Sequence, residues 1–510
     1  METPNDYLGK GGRMAEHVIS ILLQVLSVIN VLFVAVVIFT ARKNPTGTWV
    51  WLLVIIAIPY VGFVLYLLIG LEGRKRRIFA DKSKRDAKLF DKFLSEPLDY
   101  SAFIREQREG MERKDGFTVE GADNLDDLVF LNFTGGHGAF TPNNSVTAFH
   151  EGEGKFEALI RDIGEAEKYI HIQYYIVRDD DLGRKVISAL AESAARGVEV
   201  RFIVDGMGSH KTPKRFYKPL TEAGGRVTVF VPPRFIRMNY RNHRKIVVID
   251  GMVGYIGGLN IGNEYLGKDR KFGCWRDSHI RIAGDAVKSL ELRFMMDWAF
   301  CTAREIPFTG DCFPQFDPTR PICSGAHRGV PMQIVSSGPD TRWSHIHYGY
   351  NKMITEADKS IYIQTPYFVP DDSIFEALRI AALSGVDVRI MIPANPDHFF
   401  VYWASLSYLG ELLEAGVKCY QYEKGFTHGK VVLIDGCVTA VGTANMDVRS
   451  FKLNFEIHAF IYDGAVTAEF TEKFFEYLKD CTEIDNKWYA NRSALTKTRE
   501  AVSRLLSPLL

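Results

Sequence analysis

The strongest constraint on this 510-residue chain is that it carries one rare pattern twice. The first copy runs from Asn242-His243-Arg244-Lys245 through Asp250 to Gly257-Gly258-Leu259-Asn260. The second runs from Thr427-His428-Gly429-Lys430 through Asp435 to Gly442-Thr443-Ala444-Asn445. Both satisfy His-x-Lys-x4-Asp-x6-Gly-[Gly/Thr]-x-Asn. A single match arises by chance in about one chain in 10⁵, so two matches in register mark a duplication. The likeness extends upstream. Lys168–Val177 and Lys359–Val369 are β-rich runs, each followed by a helical stretch (near Lys185–Arg196 and Ile374–Leu383) and a second strand (Val198–Val204 and Val386–Ile392). Gln173 matches Gln364, and Gly197-Val198 matches Gly385-Val386. Strand–helix–strand units predict an α/β fold with helices on both faces of each sheet. Two tandem domains are expected at about 121–325 and 326–510, divided in the Pro- and Cys-containing loop Ile306–Pro331.

The apolar run after each lysine reads as a buried strand, and residues two apart on a strand share a face. His243 therefore sides with Lys245, and His428 with Lys430. For a single copy, a satisfied core histidine beside a snorkelling lysine would be a fair reading. Duplication makes it a poor one, because a pseudo-twofold arrangement brings both pairs to one cleft. Two histidines, two lysines, Asn260 and Asn445 suit a phosphodiester. Ammonium and amide groups can hold the non-bridging oxygens, one neutral imidazole can attack phosphorus, and the other, protonated, can donate to the leaving oxygen. This chemistry calls for no metal and no cofactor. Asp250 and Asp435 lie seven residues past their histidines, an odd offset, so they should point away from the phosphate and brace the strand end within the site.

The N-terminus is unlike the rest. Val18 to Thr40 and Asn44 to Leu71 hold no charged residue, and each exceeds the roughly 20 residues that cross a bilayer as a helix. A signal peptide has a shorter apolar region and a small-residue cleavage site. The expectation is a transmembrane hairpin over 1–72, with spans at about 18–40 and 48–70 and Trp49 and Trp51 near an interface. Arg74, Lys75, Arg76, Arg77, Lys82, Lys84, Arg85 and Lys88 follow the second span, against Arg42 and Lys43 between the spans and Lys10 and Arg13 before them. The positive-inside bias places both termini and the long C-terminal part in the cytoplasm of a cell membrane. Residues 73–120 read either as a basic amphipathic linker lying on anionic lipid or as a solvated stop-transfer tail. With 62 basic and 62 acidic residues the chain lacks the basic excess of a nucleic-acid binder. Its seven scattered cysteines give no zinc pattern and suit a reducing compartment.

The paired motifs resemble those of the phospholipase D superfamily. The N-terminal spans with their basic exit, the stretch Trp275-Arg276-Asp277 and the C-terminal Arg504 to Leu510 resemble the bacterial cardiolipin synthase branch over essentially the whole chain. The resemblance implies two tandem α/β/α sandwich domains sharing one active site. It also implies a double displacement through a phosphohistidine, with His243 as nucleophile and His428 as general acid, then base. It further implies that a downstream carboxylate supports each histidine on its second nitrogen, and Asp277 and Glu456, otherwise ordinary surface carboxylates, stand at plausible spacing for this. The implied reaction moves a phosphatidyl group from one phosphatidylglycerol to another, giving cardiolipin and glycerol. A membrane-bound phospholipase D hydrolase, or transfer to another alcohol, would use the same residues. A nuclease fits poorly with a neutral, membrane-spanning chain, and a dead lipid-binding scaffold fits poorly with four intact His/Lys positions.

Overall fold

The computed structural model describes residues 17, 20, 21, 24, 25, 27–39, 45–66, 72–113, 125–230, 240–269, 271–316 and 326–507. Lys10, Arg13, Arg42, Lys43 and the segment 317–325 of the expected domain boundary lie outside them. The chain divides into two compact units, residues 1–81 and 82–510.

In the first unit residues 27–39 are helical, and two further helices follow at Pro45–Ala57 and Val61–Leu65. Phe33, Val34, Val37, Trp51, Leu52, Ile55, Phe63 and Tyr66 pack together. Val31, Leu32, Leu53, Ile56 and Val61 point outward, each more than half exposed. The expected second span is not one helix. It breaks at Ile58–Tyr60, where Pro59 has no N–H to give and Tyr60 takes φ 67°. Among the described residues no helix is long and apolar enough to cross a membrane.

The second unit is built on one 15-stranded sheet. In its first half the spatial order is Arg226–Phe230, Glu199–Asp205, Tyr169–Tyr174, Ile246–Ile249, Val253–Gly257, His279–Gly284 and Thr141–Phe149. The second half repeats it with Lys418–Tyr422, Asp387–Pro393, Ser360–Gln364, Val431–Ile434, Val438–Gly442, Glu456–Ile461 and His327–Ser337, plus Cys481–Ile484 at the edge. The halves join where Thr141–Phe149 pairs antiparallel with His327–Ser337, so a pseudo-twofold axis passes through that pair. This is the tandem α/β arrangement, with the two sheets fused into one.

Alternation along the strands builds the layers. Ile170, Ile172, Val200, Phe202, Val247 and Ile249 face the helices Gly152–Glu165 and Asp181–Ala195. The intervening His171, Gln173 and Arg201 face the helix Ala286–Thr302, through Glu291, Asp297 and Trp298. The repeat is visible down to the caps. Asp180 and Asp371 each accept a backbone N–H in the first turn of matching helices, and Gly197 (φ 97°) and Gly385 (φ 96°) end those helices in the left-handed region that glycine enters without strain.

Residues 82–113 correct the reading of 73–120 as a lipid-facing linker or a solvated tail. From Lys82 onward the helices Glu72–Ser95 and Asp99–Arg113 belong to the second unit, with Leu89, Phe93, Tyr100 and Ile104 buried. Tyr100 stacks on Phe313, Phe93 meets the same ring at a tilt, and Lys82 is fully buried among carboxylates.

Candidate active site

Each histidine stands just before a strand, on a segment that crosses to the other half. Asn242 bridges in parallel to Phe455, and the His243 N–H donates to the Phe455 carbonyl at 2.9 Å. In the mirror arrangement Gly425–Thr427 pairs in parallel with Cys274–Arg276, and the His428 N–H donates to the Arg276 carbonyl at 2.6 Å. Each histidine is thereby laid beside the residue preceding the other half's carboxylate. His243 Nδ1 lies 3.0 Å from Glu456 Oε2, and His428 Nδ1 lies 2.6 Å from Asp277 Oδ2. The carboxylates are exchanged between the halves, so neither half holds a complete histidine pair alone. This overturns the expectation of a downstream carboxylate for His428: its partner, Asp277, lies upstream in the other half, brought there by the crossing segments.

A carboxylate only accepts, so the ring proton sits on Nδ1 and Nε2 is left with its lone pair. Glu456 is held in turn by Thr443 Oγ1 and Asn454 Nδ2, and Asp277 Oδ1 accepts the Ser278 N–H. Tyr175 meets the His243 ring edge-on at 4.9 Å, and Trp275 lies 5.2 Å from the His428 ring. Lys245 Nζ donates to the His243 carbonyl at 2.7 Å, while Lys430 Nζ sits 2.8 Å from His428 Nδ1 and also meets the His428 carbonyl.

Burial governs the charges. It lowers His243 and takes His428 down to about 4, each histidine also feeling the other half's lysine. Burial likewise brings Lys245 to about 7 and Lys430 to about 8, against the pull of Glu456 and Asp277. The facing cations hold both carboxylates below their ordinary range against the opposing effect of burial. Two buried lysines facing one cleft, held low by burial, suit an anion there. A bound phosphodiester would raise both lysine pKa values; without it, the ammonium charge is lost as pH rises through 7 and 8. The apparent KM for an anionic phospholipid should climb between pH 7 and 9, by up to about tenfold per unit for each lysine deprotonated. Surface-dilution kinetics at constant ionic strength check this; a KM flat across the range would contradict it.

Asp250 and Asp435 sit at the far end of the strands, in left-handed backbone (φ 53° and 51°). Asp250 accepts from the backbone N–H groups of Glu167, Lys168 and Tyr169, and Asp435 from those of Asp358, Lys359 and Ser360. Each carboxylate pins the start of the neighbouring strand. Asp250→Ala should cost about 2 kcal/mol of stability through these charge-assisted bonds, read as a lower Tm, while kcat stays within about threefold of wild type. A collapse of kcat at unchanged Tm would contradict this bracing role.

The asparagines are partly engaged by the protein. Asn260 Oδ1 accepts from Ile176 N–H and its Nδ2 donates to Tyr265 OH at 3.1 Å, leaving one amide hydrogen for a ligand. The Asn445 N–H donates to Ser450 Oγ, and its buried Oδ1 has no hydrogen-bond partner. Sequence reasoning missed Arg244, fully buried and paired with Asp297 at 2.7 Å. It also missed His279 and His458, buried two residues beyond the carboxylates, at a shared spacing that was the available signal.

Known proteins resemble this chain along nearly its whole length. The family model described as "Cardiolipin synthase, PLD-like domain" matches residues 159–298 and 350–478, and "Phospholipase D-nuclease N-terminal" matches residues 28–70. The major cardiolipin synthase of Bacillus subtilis is 44% identical over 498 residues, 96% of this chain and 99% of that protein. A cardiolipin synthase of Staphylococcus aureus is 44% identical over 489 residues, 95% of each chain. The crystal structure of a phosphatidylserine synthase from Haemophilus influenzae shares the fold, with a TM-score of 0.56 at 14% identity over 72% of this chain and 95% of that one. With its duplicated fold, paired motifs and full-length likeness, the chain belongs to the cardiolipin synthase family of the phospholipase D superfamily, and it is a phosphatidyltransferase.

Proposed function

We propose that this enzyme joins two phosphatidylglycerol molecules into cardiolipin and glycerol through a phosphatidyl-histidine, and that the two histidine–carboxylate pairs exchanged between the halves carry the chemistry. With its Nδ1–H committed to Glu456, His243 attacks phosphorus through Nε2. The N–P bond forms as the P–O bond to the departing glycerol breaks, and His428 Nε2–H protonates that oxygen. His428 then takes the proton from the hydroxyl of a second phosphatidylglycerol. That oxygen attacks phosphorus, the N–P bond breaks, and His243 is restored. Lys245 and Lys430 hold the non-bridging oxygens, with Asn260 and Asn445 beside them. Burial lowers His428 to about 4, and the charge of the anionic substrate favours the imidazolium, so the ring takes up its proton as the substrate binds. Asp250 and Asp435 brace the strands on which this stands.

The functional halves are residues 121–325 and 326–510, and residues 1–72 form a membrane hairpin with spans at about 18–40 and 48–70. The uncharged runs, the outward apolar side chains and their mutual packing support this reading. Anionic phospholipids of the inner membrane are both substrate and surroundings, with both termini and the catalytic halves cytoplasmic. A cysteine placed at 41–47 should react with an impermeant maleimide in intact cells, and one beside Leu510 should not. Labelling of the C-terminal cysteine would reverse the orientation.

Product analysis tests the reaction itself. On phosphatidylglycerol vesicles the purified full chain should release cardiolipin and glycerol in equal amounts. Phosphatidic acid as the main product would make the enzyme a hydrolase.

A further inference from the structure

Beneath His243 lies a buried ion cluster that the two-histidine chemistry does not use. Lys82 Nζ reaches Asp86 at 2.6 Å, Asp340 at 2.8 Å and Asp297 at 3.2 Å, with its own side chain fully buried. Arg293 bridges Asp86 at 2.6 Å and Asp297 at 3.3 Å. Arg244 closes the cluster on Asp297 Oδ2 at 2.7 Å, where Gln173 also donates. Three cations face three carboxylates, so the charges balance.

The cluster leads to the histidine. Arg244 Nε donates to the Glu456 carbonyl at 3.2 Å, and both Arg244 and Lys82 lie over the Phe455 ring, at 5.3 and 5.5 Å. Phe455 supplies the carbonyl that fixes the His243 backbone, and Glu456 supplies the carboxylate that fixes its ring. The pseudo-twofold does not extend to this cluster. Gly429 stands at the position matching Arg244, where an added Cβ would come within 2.6 Å of the Gln364 side chain. The arginine that ties the cluster to one histidine thus has no counterpart beside the other, where the Gln364 side chain lies against Gly429 instead.

We propose that Lys82, 161 residues from the motif in sequence, is a positioning residue for His243: it completes the charge balance that holds Arg244, Phe455 and Glu456 in place. The proposal rests on His243 being the nucleophile. Removing the ammonium leaves Asp297 and Asp340 undercompensated in a dry site, so the segment Phe455–Glu456 must shift to relieve them. A displacement of about 1 Å at a reacting group costs about 10²-fold in rate.

The test uses the full chain in mixed micelles and a phosphatidyl nitrophenol, scoring the nitrophenol burst as the rate of adduct formation and locating the adduct by peptide mass spectrometry. Lys82→Met should slow adduct formation on His243 about 10²-fold with KM nearly unchanged. The double variant Lys82→Met/Asp340→Asn removes one charge of each sign and should regain at least tenfold of that loss. Lys84→Met, on the exposed side of the same helix, should match wild type. A wild-type burst in Lys82→Met would overturn the proposal. If the single variant does not fold, the double variant decides: folded but no faster than one-hundredth of wild type, it overturns the proposal as well. A wild-type adduct on His428 would instead overturn the assignment of the nucleophile. That result is read before any Lys82 variant is made, so the two failures are distinct.

Discussion

On a phosphatidyl nitrophenol, His428→Ala should release one equivalent of nitrophenol in a burst and then stall with the phosphatidyl group on His243. Nitrophenolate leaves without a proton, so the first half-reaction needs only the nucleophile, Nε2 of His243, and the lysines that hold the phosphate. The second half-reaction needs a base for the incoming hydroxyl, and that base has been removed. On phosphatidylglycerol both steps need His428, and turnover should fall by about 10²–10⁴-fold. His243→Ala should give neither burst nor adduct on either substrate. Equal bursts from the two variants would mean that the histidines are interchangeable, against the roles assigned to them.

The exchange of carboxylates between the halves gives the second large effect, and its direction is counter-intuitive. Glu456 lies in the same half of the chain as His428, only 28 residues away, yet its carboxylate is on His243. Glu456→Gln presents an amide that can donate to Nδ1, moving the ring proton to Nε2 and quenching the nucleophile. The nitrophenol burst itself should slow by roughly 10²–10⁴-fold. Asp277→Asn withdraws the anion that steadies a protonated His428. It should leave the burst nearly intact and reduce turnover on phosphatidylglycerol by a similar factor. Pairing within each half would reverse the pattern, with Glu456→Gln sparing the burst and Asp277→Asn abolishing it. Stopped-flow nitrophenol release beside steady-state cardiolipin formation separates the two.

The duplicated strand–helix–strand pattern was legible because the β-rich runs, their glutamines and the glycine after each helix recur in one order. The glycines at Gly197 and Gly385 end matching helices, and Asp180 and Asp371 begin them. The odd offset of Asp250 and Asp435 from their histidines pointed to the strand end, where both carboxylates gather three backbone N–H groups. Pairing of histidines with carboxylates was not legible, because it depends on segments 151 and 213 residues apart meeting across a pseudo-twofold axis. Local pattern carries no such information. Arg244 was passed over for a related reason. On a strand it points opposite to His243, where an arginine reads as solvated, and only the fold supplies Asp297 to receive it. Lys82 was hidden in a charge run, one buried cation among seven neighbours of the same sign. The break at Ile58–Tyr60, by contrast, was written in the chain: Pro59 lies inside an apolar run that length and charge alone read as a single span.

In the proposed mechanism one site, shared by the two halves, moves the phosphatidyl group in two steps through His243. Stereochemistry at phosphorus tests it most directly. Each in-line displacement inverts the centre, so two in succession restore it. A phosphatidylglycerol carrying a chiral phosphorothioate of known configuration, converted by the wild-type full chain, should give cardiolipin with retention at phosphorus. Inversion would show a single direct displacement by the second hydroxyl, with no phosphatidyl-histidine on the path, and would contradict the account.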